Sequence, residues 1–146
     1  MTSSRNYTLK CVCGETFSAK LYDIINAQKD PKLKEELLEG NVNVVTCPRC
    51  KKRLAVDKIL LFHDPDKELM VNLFPKSLRD KEPIIRKELE KTINEKIERG
   101  SLLNEAHEIP TYMRHPKIVF SIEELAFVIQ EYDKEYGKDY DKKFRE

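Results

Sequence analysis

Four cysteines stand in two close pairs, Cys11-Val12-Cys13-Gly14 and Cys47-Pro48-Arg49-Cys50, and the sequence holds no other cysteine. A tight turn between paired cysteines aims two sulfurs at one point, and Gly14 and Pro48 are residues that such turns favour. Two such turns facing each other supply four thiolates, the set that zinc takes in tetrahedral geometry at about 2.3 Å from sulfur. Cys11, Cys13, Cys47 and Cys50 are therefore read as ligands of one structural zinc ion. Four thiolates fill the coordination sphere and leave no position for water, which points away from chemistry at the metal. The alternatives are free thiols, or a redox pair at Cys47 and Cys50. A redox Cys-x-x-Cys belongs at the start of a helix, whereas a strand is expected after Cys50.

The elements that must carry these pairs are legible from periodicity. Tyr7, Leu9 and Cys11 alternate with polar residues, and Phe17, Ala19 and Leu21 alternate again, so a strand enters the first turn and residues 15–22 return from it. Asp30-Pro31 reads as the N-cap and first position of a short helix that Gly40 stops. β-Branched residues 41–46 lead into Cys47. Residues 53–62 read as one strand, His63-Asp64-Pro65-Asp66-Lys67 as a turn, and residues 68–74 as its hairpin partner. Ile85, Leu89, Ile93 and Ile97 recur every four residues and predict a helix over 83–99, with Gly100 just past its end. Lys117 to Phe120 reads as a short strand. Ser121 with Glu124 forms a capping box that opens a helix over 121–136, its inward side carrying Leu125, Val128, Ile129 and Tyr132; the charged tail from Lys134 is expected to fray.

The fold class expected is α+β: a zinc-ribbon-like antiparallel β half with an inserted helix over 1–76, then a helical half over 77–146 that packs on it. The spacing of 33 residues between the cysteine pairs exceeds that of ordinary ribbons, and the helix after Pro31 accounts for the surplus. Charged residues make up 36% of the 146 and mean hydropathy is −0.62, a composition in which a metal staple matters. Zinc contributes about 10–16 kcal/mol to the folding of small zinc peptides, enough to decide whether so polar a chain folds.

Charge and termini limit the partners. With 27 basic and 26 acidic residues the chain has no global field that would steer it to DNA or an anionic membrane. No apolar run follows the first residues and no stretch approaches the roughly 18 apolar residues of a membrane helix. A cytoplasmic setting without membrane association is the expectation, and there paired cysteines more often hold metal than form disulfides.

On these features the sequence resembles the CpXC domain family, small bacterial and archaeal proteins named for their paired cysteine motifs. The resemblance lies in Cys11-Val12-Cys13-Gly14, Phe17, Ile25-Asn26, Asp30-Pro31, Leu37-Leu38-Glu39-Gly40, Cys47-Pro48-Arg49-Cys50 and Phe62-His63-Asp64-Pro65, firmly within residues 9–75, and Met113 to Leu125 looks like the later part of such proteins. Two positions depart from the pattern: the first pair is Cys-x-Cys rather than Cys-Pro-x-Cys, and Lys51 stands where Gly is usual. The resemblance implies the fold and the metal; it supplies no reaction.

Two further groups have chemistry. Arg49, Lys51, Lys52 and Arg53 cluster at the second turn and read either as a phosphate-contacting tip or as a solvated rim that balances the site's negative charge. Aromatic side chains that would stack on bases are absent from that cluster. His63 and Asp64, shared with the family, read as an acid/base pair or polar contact near the metal, or as plain turn chemistry. His107 and His115 fall in an irregular stretch and read as loop surface. The helices over 83–99 and 121–136 either complete the core or face a partner. The leading expectation is a non-enzymatic zinc-binding module that acts through protein or nucleic-acid contacts, with an enzyme built on His63 and Asp64 as the contrary reading.

Overall fold

The computed structural model describes residues 2–102 and 110–144, and within them the side chains of 2–98 and 110–135. His107 lies outside the described residues. The fold is α+β. Strands β1 (Ser3–Lys10) and β2 (Thr16–Asn26) form an antiparallel hairpin, followed by helix α1 (Pro31–Leu38) and a second, short hairpin of β3 (Val44–Thr46) and β4 (Arg53–Ala55). Strands β5 (Leu60–Asp64) and β6 (Leu69–Leu73) form a third hairpin. Helices α2 (Glu82–Leu102) and α3 (Thr111–Arg114), strand β7 (Lys117–Val119) and helix α4 (Ile122–Phe144) complete the order. The main sheet runs β1-β2-β5-β6-β7, with β2–β5 and β6–β7 parallel.

Alternation builds the core. In β5 and β6, Leu60, Phe62, Leu69, Val71 and Leu73 share one buried face. Against them pack Leu37 of α1 and Leu125 and Ile129 of α4, with Val128 and Tyr132 partly buried beside them. Each such aliphatic or aromatic side chain contributes about 1.5–3 kcal/mol on burial. The cluster draws on both stretches, 1–76 and 77–146, because β7 joins the sheet edge and α4 covers its face. The capping box at α4 forms: the Glu124 N–H donates to Ser121 Oγ (3.1 Å), while the Glu124 carboxylate reaches back to the N–H of Phe120 (2.9 Å).

Several expected boundaries are corrected. Residues 53–62 form no single strand: β4 ends at Ala55 and β5 begins at Leu60. The intervening residues are held by side chains, the Asp57 carboxylate accepting from the Lys76 N–H (3.1 Å) and Lys58 Nζ donating to the Tyr22 carbonyl (3.0 Å) and to Asp23 (2.8 Å). Asp30 makes no side-chain cap on α1; its carboxylate accepts from the Thr2 hydroxyl instead. Helix α2 runs through Gly100 to Leu102, and α4 continues past Lys134 to Phe144. An isolated glycine lowers helix stability by about 1 kcal/mol without ending a helix.

Candidate metal centre

Each cysteine pair occupies the turn of a hairpin. After β1 closes its register at Lys10 opposite Thr16, the Cys11 N–H donates to the Glu15 carbonyl (2.9 Å) and the Gly14 N–H donates back to the Cys11 carbonyl (2.9 Å). After β3 closes at Thr46 opposite Arg53, the Cys47 N–H donates to the Lys52 carbonyl (2.9 Å) and the Lys51 N–H to the Cys47 carbonyl (3.0 Å). The two turns thus have one hydrogen-bond scheme, and the first is a residue shorter. Gly14 (φ +96°) and Lys51 (φ +63°) hold the corresponding left-handed position. That is the reason glycine is ordinary after such a pair, and why Lys51 is a departure that carries strain.

A side-chain clamp lays the second hairpin beside the first. Asn43, buried and left-handed at φ +56°, imitates a strand partner for β2. Its Oδ1 accepts from the Tyr22 N–H (2.8 Å) and its Nδ2 donates to the Tyr22 carbonyl (3.1 Å). Only Ile24–Asn26 of β2 pair with β5, so Asn43 satisfies β2 just where the main sheet stops. Sequence reading missed Asn43; the one available signal was that asparagine tolerates left-handed backbone.

The outcome is a four-sulfur cluster. The Sγ atoms of Cys11, Cys13, Cys47 and Cys50 all lie within 4.8 Å of one another, with Cys11–Cys50 at 3.6 Å and Cys13–Cys47 at 3.7 Å. All four are free cysteines; Cys11 and Cys47 are buried, Cys13 and Cys50 exposed. A tetrahedron with metal–sulfur bonds of about 2.3 Å has edges of about 3.8 Å, so the two short contacts match two edges of a zinc-sized site. The residues fit a divalent cation on electrostatic grounds also. The N–H of Cys50, and after it that of Arg49, donates to the Cys47 sulfur and lowers its pKa to about 7. The Glu15 N–H favours the Cys13 thiolate, but partial desolvation of its sulfur and the three neighbouring thiols prevail and push that group up to about 12. Four sulfurs so close do not all ionise unless a cation sits among them.

The other candidates lie elsewhere. Arg49, Lys51, Lys52 and Arg53 are all exposed on the second turn, and none has an ion-pair partner among the described residues; Arg53 donates to Asn41. His63 and Asp64 end a strand, in place of the expected turn, and the turn proper is the 3-10 segment Pro65–Lys67. Adjacent strand residues face opposite sides of a sheet. His63 accordingly meets Tyr112 of α3 (Nε2 to Oη, 2.7 Å), while Asp64 is buried and lies 3.9 Å from Lys34 of α1. Burial lowers the His63 pKa and raises that of Tyr112. Neither is near the cysteines: His63 pairs with Asn26, ten residues along β2 from Thr16, about 33 Å of extended strand. His115 is exposed.

A protein-family model described as "CpXC protein" matches residues 9–139. No curated protein matches the chain, and no solved structure does. Among the described residues, no helix is long and apolar enough to cross a membrane.

Proposed function

The chain belongs to the CpXC protein family, and from that premise we propose that its four cysteines hold one structural zinc ion in a non-enzymatic module that acts through the surfaces this ion fixes. The observation that carries the reading is the convergence of all four sulfurs within 4.8 Å from two hairpin turns. Four soft thiolates select zinc or iron over harder cations, and a closed set leaves no site for a substrate. The divergence of His63 and Asp64 onto two faces supports the non-enzymatic part of the reading.

Metal analysis of the purified chain tests it. One equivalent of zinc is expected, and Cys47→Ser is expected to lose it. Iron in place of zinc, or a wild type that purifies without metal and takes up none when zinc is supplied, would overturn the assignment. His63→Ala is expected to leave metal content unchanged, given the length of β2 between the two places. Loss of zinc in that variant would show that His63 supports the centre.

A second reading takes nucleic acid as the partner of the basic turn, and the exposure of four cations that have no ion-pair partner among the described residues, at one turn and the first residue after it, favours it. Cations that meet phosphates release counterions, so binding weakens steeply with salt. Fluorescence anisotropy with labelled duplex DNA and single-stranded RNA at low salt tests this. The expected result is salt-sensitive binding whose salt slope falls when Lys51 and Lys52 are changed to Gln. Absent or salt-independent binding excludes this partner and leaves a protein contact.

A further inference from the structure

Two short sulfur–sulfur contacts join one turn to the other. Cys11 Sγ lies 3.6 Å from Cys50 Sγ and Cys13 Sγ lies 3.7 Å from Cys47 Sγ. Each contact also pairs an exposed cysteine with a buried one: Cys50 with Cys11, Cys13 with Cys47. We propose that the centre is a site of reversible thiol oxidation, at which a peroxide forms the two cross-turn disulfides Cys11–Cys50 and Cys13–Cys47. The proposal rests on the reading of the four cysteines as one metal centre and assigns that centre a regulation.

Exposure decides the order of events. The Cys50 thiolate, open to solvent, attacks a peroxide oxygen; the O–O bond breaks, Cys50 becomes a sulfenic acid, and the leaving hydroxide takes a proton to become water. The buried Cys11 sulfur is out of reach of bulk oxidant but adjacent to Cys50. It attacks the Cys50 sulfur, the S–S bond forms, the S–O bond breaks, and a second water leaves. Two thiols have then lost two electrons and two protons, and one hydrogen peroxide has become two waters. Cys13 and Cys47 repeat the sequence with a second peroxide. A sulfur in a disulfide is no longer a thiolate donor, so the metal is released.

The pairing has a structural consequence. Cys11–Cys50 and Cys13–Cys47 bonds keep the two turns tied together after the metal has left. A bond within the second turn, Cys47–Cys50, would release the turns from each other. Oxidation of this centre therefore exchanges one cross-link for another and keeps the basic turn where it was.

The experiment treats the zinc-loaded wild-type chain with hydrogen peroxide, follows zinc with a chromophoric chelator, and maps disulfides by mass spectrometry without reduction. Cleavage after Arg49 separates Cys47 from Cys50, and fragmentation across Cys11-Val12-Cys13 assigns the partner of each. The expected result is loss of the zinc equivalent in step with thiol loss, Cys11–Cys50 and Cys13–Cys47 as the dominant links, and recovery of thiols and zinc binding with a thiol reductant. A dominant Cys47–Cys50 link, sulfinic or sulfonic acids without disulfide, or thiols that persist in the zinc-loaded chain would overturn the proposal. A chain that purifies without metal and takes up none when zinc is supplied, yet forms both cross-turn links, refutes the zinc reading and supports the pairing. Cys50→Ser is expected to leave Cys13–Cys47 as the only link; if that variant fails to fold, the wild-type map decides alone.

Discussion

At the scale of the residue, the two turns differ most at their left-handed position. Gly14 adopts φ +96° freely, whereas Lys51 is held at φ +63° with a side chain that disfavours it. Left-handed backbone costs a non-glycine residue about 1–2 kcal/mol, and glycine gives back part of that gain by loosening the unfolded chain. Lys51→Gly is therefore expected to stabilise the metal-loaded protein by about 0.5–1 kcal/mol, read as a higher urea midpoint. Gly14→Ala is expected to destabilise it; a Cβ there meets nothing within 4 Å, so the cost is conformational alone. A second residue-scale prediction concerns Asn43. Removing its amide leaves the part-buried Tyr22 N–H without a side-chain partner and the Tyr22 carbonyl with Lys58 alone, at a cost of about 1–3 kcal/mol for the unsatisfied donor. Asn43→Ala is expected to lower both the urea midpoint and the zinc affinity measured by chelator competition. Unchanged affinity would show that the hairpins align without the clamp. The cysteine pairs were legible in the sequence because their types and spacing are themselves the signal, and the oddity of Lys51 was legible only through the family resemblance. Asn43 was not legible, since its role depends on a strand 21 residues away.

At the scale of the element, strand alternation located β1 and most of β2, the turn after Asp64 pointed to β6 as a hairpin partner, a short apolar run marked β7, and capping chemistry found the start of α4. What periodicity does not carry is pairing. The parallel neighbours β2–β5 and β6–β7 arise from long connections, and the break between β4 and β5 is made by Asp57 and Lys58 reaching to other elements. Asp23 is the hub of one such tie. It accepts from Arg5 (2.8 Å), Lys58 (2.8 Å) and the Tyr7 hydroxyl, and so fastens β1 and the β4–β5 connection to β2. Arg5, then Lys58 and Tyr7, hold the Asp23 carboxyl well below its ordinary 3.8, against the opposing effect of burial. A depressed carboxyl contributes stability above its unfolded pKa and loses it as pH falls through the folded value. Asp23→Asn is accordingly expected to lower the urea midpoint at neutral pH, with the deficit shrinking as the pH drops below 3.8. A deficit that persists unchanged in strong acid would assign the effect to packing rather than charge.

At the scale of the whole molecule, the cysteine end and the apolar core are distinct parts, joined by β2 and by the connections on either side of the β3–β4 hairpin, where Val42 belongs to the buried cluster. The buried cluster consists of Ile25, Leu37, Leu60, Phe62, Leu69, Val71, Leu73, Leu125, Ile129 and their neighbours, and includes no cysteine. Ion pairs reinforce it from outside the metal centre: Lys34 of α1 and Lys67 both meet Asp133 of α4, closing the helix onto the N-terminal half. Composition alone suggested that zinc decides whether the chain folds; with no cysteine in the buried cluster, a metal held by the four sulfurs would act on one end. Chelation is then expected to cause sub-global opening. Amide hydrogen exchange should accelerate over 11–16 and 44–55, where the hairpin turns depend on the thiolates for their mutual contact. Protection over 60–73 and 122–132 should persist, and the helical circular dichroism signal with it, because the side chains that bury those segments do not touch the centre. Thermal unfolding of the chelated protein should remain cooperative at a reduced midpoint. Collapse of protection across the entire chain on chelation would mean that the cysteine end nucleates the core, and the separation argued from the buried cluster would be wrong.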